Sequence, residues 1–167
     1  MDRIVNMNEE NIVNALLEGA GLSTFIFHTH FCLEFDCDTN KMFCGKRLPL
    51  RVTLVILGDW WFGNKEEWDE TVRKMTKGFQ FVEPDEPVLA FKLAALRWME
   101  GATIKSVTLT PEKTVIVFHC GEYITILNKN GSQGECPWEI FESGYENEST
   151  GWSAVCDEGQ IYYNIPV

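Results

Sequence analysis

Hydrophobic residues recur with two different periods along the first half of the chain. Ile12, Val13, Leu16 and Leu17 follow helical spacing before a glycine, which predicts a helix over 8–18. The stretch 22–35 is rich in β-formers but too long for one strand, and its alternation breaks at 28–30, which predicts a hairpin with a further strand near 41–44. The stretch 50–57 is apolar on both faces, as in a central strand.

Two further helices are predicted in the middle of the chain. The stretch 66–77 has acidic residues early and basic residues late, in agreement with the helix macrodipole, and a glycine follows it. Two prolines within 83–87 interrupt any regular element and predict a boundary between two halves. Pro87 then suits the first turn of a helix that carries Leu89, Leu93, Leu96 and Met99 and ends at Gly101.

The second half is predicted to be mostly β. Strands are expected over 104–109, 114–119, 123–127, 152–156 and 161–165, with a short element of unspecified type over 138–141 and an acidic loop over 142–150. Together these elements predict an α+β fold with predominantly antiparallel sheet and about three helices packed on it.

A short motif occurs twice. Leu17-Glu18-Gly19-Ala20 and Met99-Glu100-Gly101-Ala102 each lead into a hydrophobic hairpin, and an alignment of the two puts Phe35 on Phe118 and Cys37 on Cys120. We therefore expect one domain, 1–167, that contains two helix-plus-meander repeats, 1–82 and 83–167. Chance similarity between two amphipathic segments is the alternative explanation.

The formal charge of −11 and the pI near 4.7 change the range of expected partners. Binding to nucleic acid or to an anionic membrane depends on basic residues, so neither is expected, and a basic protein is the complementary partner. Solubility alone is the competing explanation of the acidity. The sequence shows no secretory leader and no membrane-spanning stretch, so we expect a cytoplasmic protein whose six cysteines are reduced thiols.

The sequence offers little metal, cofactor or catalytic chemistry. His28, His30 and Cys32 are good zinc ligands, but the predicted turn at the two histidines separates them, and no C-x-x-C pair is present. The stretch 36–40 begins like a calcium-binding loop but lacks its glycine and its closing glutamate. Because nucleophile and phosphate-binding motifs are also missing, we predict no metal, no cofactor and no catalytic residues.

Tryptophans and acidic residues occur together in two segments. We predict that the partner-binding residues lie there: Trp60, Trp61, Glu66, Glu67, Trp138 and Glu139. Aromatic anchors inside an acidic rim suit an interface with a basic protein, although tryptophans buried against the sheet are the alternative. Since neighbours on a strand point to opposite faces, Trp60 and Trp61 cannot both face the core.

The leading hypothesis is a non-catalytic protein-binding module, of the kind that bacterial immunity proteins represent, which blocks a basic partner. The alternative is a small-molecule-binding or enzymatic domain with a pocket between the halves, in which His119, Cys120 or Asp36 would act. Self-association through exposed tryptophans is a third hypothesis, and the oligomeric state is left open.

Overall fold

The computed structural model describes residues 3–5, 12–144 and 151–167. The described part of the first half contains β1 (Arg3–Val5), α1 (Ile12–Leu17), β2 (Gly21–Phe27), β3 (Phe31–Asp36), β4 (Met42–Phe43), β5 (Lys46–Arg47), β6 (Arg51–Ile56), β7 (Trp60–Phe62) and α2 (Lys65–Met75). The described part of the second half contains α3 (Glu86–Met99), β8 (Ile104–Leu109), β9 (Lys113–Phe118), β10 (Tyr123–Leu127), β11 (Trp138–Glu142), β12 (Ser153–Asp157) and β13 (Gln160–Asn164).

These elements confirm the predicted α+β class. Seven strands form one antiparallel sheet in the order β1-β13-β12-β11-β6-β3-β2, four form a second in the order β7-β10-β9-β8, and β4 and β5 form a separate hairpin. No helix in the described ranges is long and apolar enough to cross a membrane.

Most predicted elements are present, with differences at the ends and in the short strands. Of the helix predicted over 8–18, residues 12–17 are helical, while 8–11 lie outside the described residues, as do 145–150 of the predicted acidic loop. Strands β1, β5 and β7 were not predicted. β7 is only three residues long and exists because it pairs with β10, which local periodicity does not reveal.

The duplicated Glu-Gly-Ala motifs lie against each other where the two main sheets meet. The backbone N–H of Gly19 donates to Ile104 at 2.8 Å, and that of Gly101 donates to Leu22 at 2.8 Å. Leu22 and Ile104 donate in turn to Ala102 and Ala20. Each of these hydrogen bonds therefore has a counterpart at the equivalent positions of the other half.

The strand register shows the same pairing of halves. In β2–β3 the register shifts between Leu22 and Thr24, and in β8–β9 it shifts between Ile104 and Ser106. The strand that follows each meander joins the sheet of the other half: β7 follows β6 but pairs with β10, and β11 follows β10 but pairs with β6. These matched contacts support the two-repeat organisation, which stays a prediction.

The inner faces of both sheets contribute to one cluster of buried residues. Trp60 and Trp138 occupy matching places in it, because Trp60 pairs with Ile126 and Trp138 pairs with Ile56. The Trp60 ring lies edge-on to Phe31 at 4.9 Å, so it connects the four-stranded sheet to the seven-stranded one. The Trp138 indole N–H points the other way, toward Thr114 Oγ1 at 3.1 Å and Asn128 Oδ1 at 2.9 Å.

Candidate functional site

The six residues predicted to bind a partner do not form one surface. Trp60 and Trp138 are 4% and 1% exposed, so both rings belong to the core and cannot present a face to a partner. Burial against the sheet, the alternative that the sequence analysis left open for these tryptophans, therefore describes both of them. Glu139 lies on β11 between Val55 and Val155, on the face of the seven-stranded sheet that also carries Cys32, and it is half-buried.

Trp61, Glu66 and Glu67 lie together at one edge of the four-stranded sheet. Trp61 is partly exposed on β7, opposite in direction to its buried neighbours, and Lys65 Nζ lies 5.6 Å from its ring centroid. Glu66 and Glu67 are exposed in the first turn of α2. This part of the predicted surface remains available to a partner.

Local sequence explains why α2 begins where it does. Gly63 adopts a positive φ of 66°, and Asn64 caps the helix because its Oδ1 accepts hydrogen bonds from the N–H groups of Glu66 and Glu67. The two glutamates also complement the positive end of the helix dipole. Trp68 and Val72 then bury the inner face of the helix.

Helix α3 is only partly covered by the rest of the chain. Pro87 starts it, and of its 14 residues only Leu96 and Met99 are buried. A second apolar stripe runs along the helix through Phe91, Ala95 and Trp98, and Trp98 is 75% exposed. Phe91 and Ala95 are partly buried against the core, so Trp98 is the residue of this stripe that the described part of the chain leaves exposed.

An open groove lies between α2, α3 and the end of β7, with a volume of about 470 Å³. Aromatic rings form its wall: Phe62, Trp68, Phe91 and Trp98. Three of these rings contact one another in sequence, since the tilted rings of Phe62 and Trp68 have centroids 5.9 Å apart and Trp68 and Phe91 meet edge-on at 4.9 Å. The wall is therefore a fixed aromatic surface that ends in the exposed indole of Trp98.

The charged side chains that line the groove are both acidic, Glu67 from α2 and Glu122 from the β9–β10 connection. The ion pairs on the flanking helices join Lys65 to Asp69, Lys74 and Arg73 to Glu70, and Arg97 to Glu100. In the described part of the chain none of these pairs includes Glu67 or Glu122. Two carboxylates at the rim are thus left to solvent or to a ligand.

Sequence reasoning missed Trp98 and the groove. The predicted stripe on α3, Leu89 to Met99, describes the side that faces the protein and leaves Trp98 out. The available signal was the second stripe at Phe91, Ala95 and Trp98, because a helix that is apolar on two sides needs a partner on both.

On the other side of α3, Lys92 lies among aromatic rings. Its Nζ is 4.6 Å from the ring centroid of Trp60 and 5.9 Å from that of Phe31. Burial lowers the pKa of Lys92 to about 8, against the opposing effect of Asp59, while Lys65 lowers it further. Lys92 thus lies between α3 and the junction of the two sheets.

The histidine, cysteine and aspartate candidates are dispersed. His28 and His30 occupy the turn between β2 and β3, and the described residues contain no group of three or more His, Cys, Asp or Glu side chains placed to hold a metal ion. All six cysteines are free thiols. Burial raises the pKa of both Cys37 and Cys156 to about 12, which keeps these thiols protonated at neutral pH.

The residues proposed for a pocket between the halves lie on different sheets. Asp36 ends β3, where its Oδ1 accepts a hydrogen bond from Arg51 Nε at 2.7 Å. His119 and Cys120 lie in the short β9–β10 connection of the other sheet, and Cys120 is exposed. Their placement provides no observation that favours a catalytic pocket.

No protein-family model, no curated protein and no solved structure matches this chain.

Proposed function

We propose that this protein is a protein-binding module whose groove between α2 and α3 binds a basic partner. The observation that carries the proposal is the combination in one groove of a 75% exposed tryptophan, Trp98, with two acidic side chains, Glu67 and Glu122, as its charged lining. Blocking a basic protein by occupying its surface, as bacterial immunity proteins do with toxins, is the mode of action that we propose, in the cytoplasm.

The aromatic wall provides the affinity in this proposal. Tryptophan is enriched among the residues that dominate binding energy, and removal of such a residue typically costs about 2 kcal/mol or more. Phe91 and Trp68, which line the groove together with Trp98, already contact each other edge-on. A partner that covers Trp98 would also bury the second apolar stripe of α3.

The glutamates provide the preference for a basic partner. Carboxylates at the rim of an interface attract Lys and Arg side chains and raise the association rate at low ionic strength. The charge of the whole chain, −11, acts in the same direction. Glu66 is exposed beside Glu67 in the first turn of α2 and adds to the negative charge near the groove, Trp61 points away from the groove residue Phe62, and the core residues Trp60 and Trp138 take no part.

Affinity capture from the native host lysate with four immobilised proteins tests the proposal. These are the unaltered chain, Trp98→Ala, the double variant Glu67→Gln with Glu122→Gln, and Phe79→Ala. Phe79 is the matched control, because it is 70% exposed but does not line the groove. Circular dichroism verifies that each variant is folded.

We expect a basic protein to be retained at low salt by the unaltered chain and by Phe79→Ala, and to be released as salt rises. Trp98→Ala should lose it at all salt concentrations, and the double variant should retain less of it at low salt and show a smaller salt dependence. Retention that is unaffected by Trp98→Ala and by the double variant would show that the groove is not the binding site.

A further inference from the structure

The segment that joins α2 to α3 carries large apolar side chains on the surface of the protein. Four of them lie within residues 75–82, here named the apolar loop, and all four are exposed: Met75, Phe79, Phe81 and Val82. The ring centroids of Phe79 and Phe81 are 6.3 Å apart, so the two aromatic side chains form one feature of the surface. Apolar side chains that cluster on a surface in this way mark an interaction site.

The apolar loop and the end of α2 before it are basic. Between residues 73 and 82 the chain has three basic residues and no acidic one. Arg73 and Lys74 pair with Glu70 at the surface, where such pairs contribute little, and within the described ranges no ion pair includes Lys77. The acidic residues of this connection come afterwards, within 83–86, where α3 begins. The apolar loop is therefore an apolar segment with a positive charge.

The groove between α2 and α3 has the opposite charge and the same apolar character. Its aromatic wall ends in the exposed indole of Trp98, and its charged lining consists of Glu67 and Glu122. The apolar loop and the groove are thus complementary both in charge and in apolar surface. An apolar group that fits a pocket elsewhere on the same molecule joins two copies of that molecule.

The apolar loop cannot occupy this end of its own groove. The loop follows the last turn of α2 and leads to the first turn of α3, whereas Glu67 lies in the first turn of α2 and Trp98 in the last turn of α3. With 11 and 14 residues, these helices are about 16 and 21 Å long. The loop and this end of the groove therefore lie at opposite ends of both helices, so the loop can meet Trp98 only in another copy.

We propose that two copies of this chain form a dimer in which the apolar loop of each copy binds in the groove of the other. A two-fold axis makes both contacts at once, because the helix pair of one copy then runs opposite to that of its partner. Phe79 and Phe81 pack on the aromatic wall, and Lys77 faces Glu67 and Glu122. This dimer closes the groove, so that a basic partner must displace the second copy.

The inference goes beyond the proposed function and does not require a basic partner to exist. The two can therefore be tested separately. Phe79 belongs to the apolar loop and does not line the groove, so its replacement should weaken the dimer and leave capture of a basic protein intact.

Sedimentation velocity of the full chain, over a range of protein and salt concentrations, tests for the dimer. The unaltered chain is compared with a loop variant, Phe79→Ser with Phe81→Ser, and with a groove variant, Trp98→Ala. Leu50→Ser is the matched control, because Leu50 is 79% exposed but belongs to neither surface. A further sample mixes the dye-labelled loop variant with an excess of the unlabelled groove variant. Circular dichroism verifies that each variant is folded.

We expect the unaltered chain and Leu50→Ser to form dimers at low salt that dissociate as salt rises. The loop variant and the groove variant, each alone, should dimerise about tenfold more weakly or worse, since each lacks aromatic anchors of both contacts. In the mixture the labelled loop variant should enter dimers again, because its intact groove meets the intact loop of the groove variant.

A chain that stays monomeric at every concentration, or a dimer that neither variant weakens, would overturn the inference. A mixture whose dimers are no stronger than those of the separate variants would overturn it too, because the loop would then not bind the groove. If the chain is monomeric but its capture of a basic protein requires Trp98, the proposed function stands alone. If the dimer needs both the loop and Trp98 but no basic protein is captured, the dimer stands and the proposed function fails.

Discussion

Lys92 makes a quantitative prediction about stability and pH. Burial lowers its pKa from 10.5 in the unfolded chain to about 8 in the folded protein. The folded state therefore holds this proton less tightly than the unfolded state does. Below pH 8 the charged amine destabilises the fold by its full amount, and this cost disappears as the pH rises from about 8 to 10.5.

The magnitude is obtained from the same shift. A depression of the pKa from 10.5 to about 8 corresponds to about 3 kcal/mol. Lys92→Met keeps the length and the apolar stem of the side chain and removes the charge, so it should be more stable than the unaltered protein at pH 7.

Urea unfolding followed by tryptophan fluorescence, repeated between pH 7 and pH 10.5, measures this difference. The variant should be about 3 kcal/mol more stable at pH 7, and the gap should close by the upper end of the range. Lys105→Met is the control, because Lys105 is exposed on β8 and its replacement should give a difference that does not vary with pH in this way. A Lys92→Met variant that is less stable at pH 7, or a gap that is constant with pH, would refute the reasoning.

Three further predictions concern a helix cap, a turn and the thiols. Asn64→Ala should lower the free energy of unfolding by about 1 kcal/mol in urea titrations, because it removes both hydrogen bonds at the start of α2, and an unchanged midpoint would contradict this. Gly159→Ala should lower the melting temperature more than Gly134→Ala. Both glycines have a positive φ, but an added Cβ at 159 would lie 2.4 Å from the Pro111 carbonyl oxygen, whereas one at 134 has no atom within 4 Å. Equal decreases in melting temperature would show that this close contact does not matter. In native protein at pH 8, iodoacetamide should modify exposed Cys44 faster than Cys37, whose pKa is about 12, and equal rates by mass spectrometry would argue against this difference.

The sequence predicts those elements of the fold whose signal is local. β6 is recognisable because Val52 to Ile56 are all apolar or small and all buried, and α2 is recognisable from its charge order and its cap at Asn64. β7 is not recognisable, because three residues are too few for periodicity and its identity as a strand depends on pairing with β10. β7 belongs to the sheet of the second half because of its contacts with β10, and no local sequence pattern encodes these contacts.

The candidate site divides in the same way. Glu66 and Glu67 lie on an exposed helix turn, which a local charge pattern indicates correctly. The burial of Trp138 is decided by Thr114 and Asn128, which are distant in sequence but accept hydrogen bonds from its indole N–H. An aromatic residue in an acidic segment therefore does not by itself predict a surface position.

The two halves of the chain differ in what lies beside their helices. Both helices lead through the same Glu-Gly-Ala motif into matching hairpins, so the framework around them is alike. The halves differ in the next connection, because residues 37–50 form a hairpin beside α1, while 119–122 only turn the chain. In α3 the second apolar stripe ends in the exposed Trp98, and in the proposed function Glu67 and Glu122 give the groove beside it a preference for a basic partner.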